Sequence, residues 1–179
     1  MILPLLLLAL LPLIDSPTWK NHRARLQRTE HDRQTALEIT VLGALGVSVA
    51  LIAMPFIEGH TPRMLGVIIA IAGGALRYWS IRTLGQFFTL TLQVNQAQQV
   101  IRAGPYRWVR HPSYLGGELA LLGIGITCGN WVSAALMVTP MLIAHLRRIK
   151  IEESMMQNAM GTLWADYARS TSRLIPFVY

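Results

Sequence analysis

The chain predicts an all-α integral membrane protein of about five transmembrane helices, folded as a single membrane domain over residues 1–179. Three observations carry that prediction. The sequence is 53% hydrophobic and only 14% charged, too apolar for a soluble domain of this length. Its apolar residues gather into separate runs of crossing or near-crossing length. Its basic residues gather between those runs, nearly all on one side. So short a chain leaves little outside the bilayer, and any site must be assembled from helix ends and short loops. The formal charge of +7 is therefore read as topology and not as a nucleic-acid footprint. Cys128, the single cysteine, excludes an internal disulfide, matches no zinc spacing, and is read as a small apolar hairpin residue.

The elements follow in order. Met1 to Ile14 is nearly all Leu, with Pro4 and Pro12. It lacks a basic n-region and a small-residue cleavage site, so a short membrane helix is expected there instead of a signal peptide. Trp19 to Arg33 carries Lys20, Arg23, Arg25, Arg28 and Arg33 and is expected to be a solvated cytoplasmic connector. Ala36 to Ile57 is long enough to span, with Glu38 near its entry and Pro55 near its exit, and Glu58 to Arg63 forms the next loop. A third helix runs from Met64 to Leu76 and on to about Leu84, where Gly73 and Gly74 let a neighbouring helix approach.

Gly85 to Val109 is rich in Gln, lacks spanning hydrophobicity and ends at the Gly104-Pro105 turn signal, which makes it a cytoplasmic loop. Leu115 to Thr127 and Trp131 to Leu146 are parted only by Cys128, Gly129 and Asn130, so they form a helical hairpin. Arg147 to Ser170 reads as one juxtamembrane helix with Leu163, Trp164 and Tyr167 on a shared face, followed by a tail, Arg173 to Tyr179. With these spans, 15 of the 16 Lys and Arg fall on one side and only Arg63 opposite. That side is expected to be the cytoplasm, with the amino terminus outside and the carboxyl terminus inside.

Two polar knots then fall on the same membrane face. The first is GPYRWVRHPSYLG, Gly104 to Gly116. Pro112 suits the first position of a helix, where its missing N–H costs nothing, and the free N–H groups and dipole of that helix end favour an anion. Arg110, His111, Ser113 and Tyr114 surround it, ready for a carboxylate or phosphate. Each also has a plain structural explanation: Arg107 and Arg110 as topology anchors, His111 as a cap, Tyr114 as an interface aromatic.

In the second knot, His145, Arg148 and Glu152 lie at i, i+3 and i+7 on one helical stripe, with Glu153 beside them. An exposed Arg148–Glu152 ion pair worth about 0.3–0.5 kcal/mol explains part of the pattern equally well. Glu118, one turn after Tyr114 on a buried helix, must be paired, protonated or facing a cavity, and Arg77 or Arg82 could pair with it. His22, His31 and His60 sit in polar connectors. The sequence holds no P-loop, GxGxxG, metal-ligand or nucleophile-elbow pattern.

GPYRWVRHPSYLG, then RRIKIEE, then GTLWADYARSTSRLIP, resembles the isoprenylcysteine carboxyl methyltransferase family and its phospholipid methyltransferase-like bacterial relatives over roughly Thr89 to Pro176. The resemblance implies a membrane enzyme of a bacterial inner membrane that uses S-adenosyl-L-methionine and no metal. It divides the chain into three amino-terminal helices over 1–84 and a catalytic half over 85–179, with a cofactor loop, the hairpin and a cytosolic helix that together cap the cofactor.

Residue by residue, Tyr106, His111, Pro112, Ser113, Tyr114 and Glu152 match the family's cofactor positions, as do Gln93, Gln98, Gln99, Val100 and Ile101 in the preceding loop. Arg148 matches the arginine assigned to substrate and is the expected catalytic residue. Glu153 is a neighbour whose role stays open. The implied acceptor is lipophilic and enters from the bilayer: the carboxylate of an isoprenylcysteine-like or related lipid thioether.

A carboxylate acceptor needs no general base, whereas a thiol, phenol or amine would draw on His111, His145, Glu118 or Glu153. Two other readings stay open. A sterol-reductase-like enzyme would hold the phosphates of NADPH on Arg102, Arg107 and Arg110. In a non-enzymatic membrane scaffold, every charge is an anchor.

Overall fold

The structure, a computed structural model, describes residues 2–14, 30–57, 59–88 and 99–178. Among these residues six α-helices follow one another: α1 (Ile2–Ile14), α2 (Glu30–Ala53), α3 (Arg63–Leu84), α4 (Pro112–Thr127), α5 (Trp131–Met160) and α6 (Thr162–Ser170). Short 3-10 turns lie at Met54–Phe56, Gly85–Phe87 and Gly104–Arg107. Among the described residues there is no strand, only an isolated bridge between Val109 and Ser172.

Among the described residues, three helical stretches are long and apolar enough to cross a membrane: Asp32–Phe56, Arg63–Leu84 and Trp131–Met160. The other two expected crossings are shorter. α4 has 16 residues and α1 has 13. At ~1.5 Å per residue, a 16-residue helix is about 24 Å long, against a hydrocarbon core of about 30 Å.

α3 packs most extensively on α4, and α2 on α5. Gly73 serves the first of these seams as expected. A Cβ built there would lie 2.7 Å from the Gly116 carbonyl oxygen, and one at Gly116 would lie 2.6 Å from the Arg77 nitrogen. Gly66 and Gly123 repeat the device two turns on, where a Cβ at Gly66 would lie 2.7 Å from the Gly123 oxygen. In lipid, such backbone proximity takes the place of hydrophobic drive between helices. The contacts are backbone to backbone and cannot yield as a flexible side chain would. Gly73→Val is therefore expected to cost about 1–3 kcal/mol by overpacking, seen as a lowered melting temperature in detergent; an unchanged melting temperature would mean α3 and α4 are not this close.

On the second seam, Pro140 lies inside α5 and cannot donate to the Leu136 carbonyl four residues back. Gly46 of α2 faces that spot, where an added Cβ would lie 2.6 Å from the Leu136 oxygen. The α4–α5 hairpin turns at Cys128–Asn130 as the sequence predicts. Asn130 caps α5 by accepting the Ser133 N–H at 2.7 Å, and the Gly129 carbonyl accepts the Thr61 N–H at 3.2 Å.

The structure departs from the sequence-based reading at two boundaries. α2 begins at Glu30, so Asp32 lies 1% exposed inside what was expected to be a solvated connector. The expected helix from Arg147 to Ser170 is instead the end of α5 plus a separate α6. Gly161, with φ 55°, stops α5 and donates its N–H to the Gln157 carbonyl at 2.9 Å.

Candidate functional site

The amino-terminal end of α4, the second half of α5 and the start of α2 converge at one end of the bundle. Pro112 is the first residue of α4, and His111 before it makes no side-chain cap, so this helix end stays available to an anion. The next turn brings Tyr114 against α5. Its hydroxyl donates to Glu152 Oε1 at 2.5 Å, and Arg148 Nε reaches both that hydroxyl, at 3.1 Å, and the same carboxylate oxygen, at 3.0 Å. Glu152 Oε2 lies 3.6 Å from His111 Nδ1.

Arg148 is 4% exposed and holds α2 with its other nitrogens: Nη1 donates to Thr35 Oγ1 at 3.2 Å and Nη2 to Asp32 Oδ1 at 3.4 Å. In place of an exposed i,i+4 pair, Arg148 and Glu152 belong to a five-residue network with Tyr114, Thr35 and Asp32, centred on the buried guanidinium. The guanidinium lies between two carboxylates, and its pairing offsets part of the cost of burying Arg148 and Asp32.

Neighbouring Glu153 points elsewhere, as successive helix residues must. Its Oε1 accepts from Arg110 Nε at 2.8 Å and lies 3.3 Å from His111 Nε2, while Oε2 accepts from Arg173 Nε at 2.9 Å. Arg110 continues outward, donating through Nη1 to the Ala168 carbonyl at 2.7 Å and to the Thr171 carbonyl. Backbone bonds from Arg110 N to Ser172 O at 2.9 Å and from His111 N to Arg173 O at 3.1 Å complete a clasp. α6 and the tail are thereby strapped over the segment that leads into α4. Arg110, which the sequence allowed to be a plain topology anchor, is the centre of that strap.

Below Tyr114 lies a third group. His145 Nδ1 sits 2.7 Å from Glu118 Oε1, with both side chains 8% exposed, and the Tyr114 ring packs 4.5 Å from the imidazole. Glu118 thus pairs with His145, not with Arg77 or Arg82 as expected. Arg77 instead donates to the Ser113 carbonyl at 3.2 Å, and Arg82 lies over the Tyr78 ring.

Tyr106 is buried under this wall; burial first, and then Tyr167 nearby, push its phenol far above the ordinary tyrosine range. Burial does the same to Tyr167, whose hydroxyl donates to the Tyr106 carbonyl at 2.7 Å. Both are neutral at physiological pH.

Tyr106, His111, Pro112, Ser113, Tyr114, Arg148, Glu152 and Glu153 therefore come together, with His145 and Glu118 directly beneath. Gln99 is exposed and Val100 and Ile101 are half-buried on the approach to Gly104. Gln93 and Gln98 lie outside the described residues. Among the described residues, no group of three His, Cys, Asp or Glu could hold a metal ion.

Sequence reasoning missed Asp32 and Thr35 as partners of Arg148. A signal was present: the stripe of Gly43, Gly46 and Ala50, carried back at three- and four-residue spacing, passes through Ile39, Thr35 and Asp32. Arg173 was likewise read only as the start of a tail.

The fold and the site define a class: an all-helical membrane protein with its polar cluster buried at one end of a helical hairpin. Residues 65–158 match the isoprenylcysteine carboxyl methyltransferase (ICMT) family, and the chain belongs to that family. It is 31% identical over 115 residues to protein-S-isoprenylcysteine O-methyltransferase A of Arabidopsis thaliana, covering 63% of this chain and 58% of that protein. It is 30% identical over 123 residues to the protein-S-isoprenylcysteine O-methyltransferase of Tribolium castaneum, covering 68% of this chain and 44% of that one.

Among solved structures, the eukaryotic intramembrane Ras methyltransferase ICMT superposes with a TM-score of 0.58 at 25% identity, over 84% of this chain and 55% of that chain. The chain thus spans about half the length of the relatives it matches. The family match includes Tyr106 through Glu153 and leaves out Asp32, Thr35, α6 and Arg173.

Proposed function

We propose that this protein is an S-adenosyl-L-methionine-dependent methyltransferase acting on a lipophilic acceptor that enters from the bilayer, the carboxylate of an isoprenylcysteine-like or related lipid thioether. The observation that carries the reading is Glu152. It is the most exposed carboxylate of the cluster, at 25% against 14% for Glu153, yet it is aimed by Tyr114 and Arg148 toward the uncapped end of α4.

The residues present fit the methyl donor. The end of α4 suits its carboxylate, Glu152 suits its ammonium or ribose hydroxyls, and the rings of Tyr106 and Tyr114 suit its adenine or sulfonium. The expected contacts from Gln93, Gln98, Gln99, Val100 and Ile101 belong to the same reading. When bound, the donor supplies an activated sulfonium methyl group. The tasks left to the chain are alignment and exclusion of water, which together can lower a barrier by several kcal/mol.

Arg148 orients the acceptor carboxylate. The acceptor would take the place of one of the partners that now hold the guanidinium, in a buried position where an anion is attracted more strongly than in water. The strap of α6 and the tail over the α4 entry supports a cap that keeps water out. The distribution of basic residues supports five crossings, with the site on the cytoplasmic side.

Calorimetric titration of the detergent-solubilised protein with S-adenosylmethionine and its demethylated product, beside NADPH, tests the reading. Saturable binding of the first two is expected, weakened at least tenfold in Glu152→Ala, since a charged group loses about 1.5–3 kcal/mol with its partner. Binding of NADPH alone would favour the reductase, and binding of neither the scaffold.

A further inference from the structure

Glu118 and His145 have no part in the clasp or in the Arg148 network. His145 precedes Glu152 by seven residues on α5, which sets the pair about 10 Å deeper along the helix, toward the Cys128–Asn130 turn. Titratable groups at that depth are costly and need a purpose. The other two groups the sequence offers as a base, Glu153 and His111, are committed to the clasp, and Glu152 is held by Tyr114 and Arg148.

His145 differs. Its Nδ1 is held by Glu118, and Nε2 has no hydrogen-bond partner among the described residues. Glu118 Oε2 is buried without one as well. With Nδ1–H donating its hydrogen bond to Glu118, the lone pair resides on Nε2, and the carboxylate behind the ring stabilises the imidazolium that forms when Nε2 takes a proton.

We propose that Glu118 and His145 form a proton-accepting pair and that the chain carries a second activity, methyl transfer to a lipophilic phenol or thiol. This rests on the methyl-donor reading above. A carboxylate arrives ionised and has no use for a base, while an alkylammonium is excluded from a span at this depth by its charge. A phenol or thiol crosses lipid neutral and must lose its proton at the site. The Nε2 lone pair, with the Glu118 carboxylate held 2.7 Å behind the ring at Nδ1, is placed to receive that proton.

In the step, His145 Nε2 takes the O–H or S–H proton. The acceptor's freed electron pair forms the bond to the methyl carbon, and the bond from that carbon to the sulfonium breaks with its pair going to sulfur. The donor leaves as a neutral thioether, and the site holds an imidazolium beside the Glu118 carboxylate.

The test uses the full chain in detergent with S-adenosylhomocysteine bound and a 4-alkyl-2-nitrophenol as probe, whose phenolate absorbs in the visible. Below the probe's own pKa in detergent, the wild type is expected to show the phenolate band. His145→Gln should lose it, Glu118→Gln should weaken it, and both should still bind S-adenosylhomocysteine. Methylation of the same probe should fall about 10²–10⁴-fold in His145→Gln, while methylation of an S-farnesylcysteine derivative falls less than about tenfold.

A wild type whose bound probe stays protonated, or which binds S-adenosylhomocysteine but not the probe, would overturn the proposal, as would a band that persists in both variants. If neither variant folds, the wild-type spectrum decides. Failure to bind S-adenosylhomocysteine would be the separate failure of the donor reading, and the proposal falls with it.

Discussion

Arg148→Ala is expected to lower stability by about 3–5 kcal/mol, the cost of leaving a buried charge without its partner. Asp32 is 1% exposed and Glu152 shares the same guanidinium, so removing the cation strands a carboxylate inside the bundle and weakens the hold of α2 on α5. The same change should reduce transfer to a carboxylate acceptor by about 10²-fold or more, because the reacting oxygen is no longer held in line.

The two effects separate by design. Arg148→Met combined with Asp32→Leu replaces the ion pair by apolar groups and should recover most of the stability while leaving transfer impaired. Unfolding in detergent and transfer to an S-farnesylcysteine derivative read them out. Equal stability of Arg148→Ala and wild type would mean that Asp32 is solvated after all.

Glu153→Gln is expected to open the carboxyl-terminal strap. Three cationic or imidazole groups converge on this carboxylate, and a hydrogen bond to a charged group is worth about 1.5–3 kcal/mol. Gln keeps the shape but can accept at only one atom and brings an N–H toward a guanidinium. The expected outcome is cleavage by trypsin at Arg169 or Arg173 under conditions where the wild type resists, together with weakened binding of S-adenosylmethionine, since the strap lies over the entry to α4. A tail that stays protected would show that the backbone bonds between residues 108–111 and 172–173 hold the strap without Glu153. Because Glu152 is untouched, comparison with Glu152→Ala separates a loosened strap from a lost ligand contact.

How much of this was legible follows from where each residue's partners lie. Pro112 as a helix start, the turn at Cys128–Asn130 and the close approach at Gly73 all rest on local chemistry: a missing N–H, a side-chain cap, an absent Cβ. The apolar runs and the distribution of Lys and Arg predict a helical membrane protein for the same reason, since lipid requires helices whatever their neighbours do. The stripe of His145, Arg148 and Glu152 was also local, being a matter of helical period.

What each member of that stripe binds was not. Asp32 reached Arg148 across 116 residues, Glu118 reached His145 across 27, and Arg173 reached Glu153 across 20. A charged residue near a run of arginines has the same local signature whether water or a buried guanidinium receives it, so Asp32 read as connector and Glu118 was matched to the wrong partner. Only the packing of α2 on α5 and of α4 on α5 decides which of these charges are removed from water, and a charge removed from water must find its partner there.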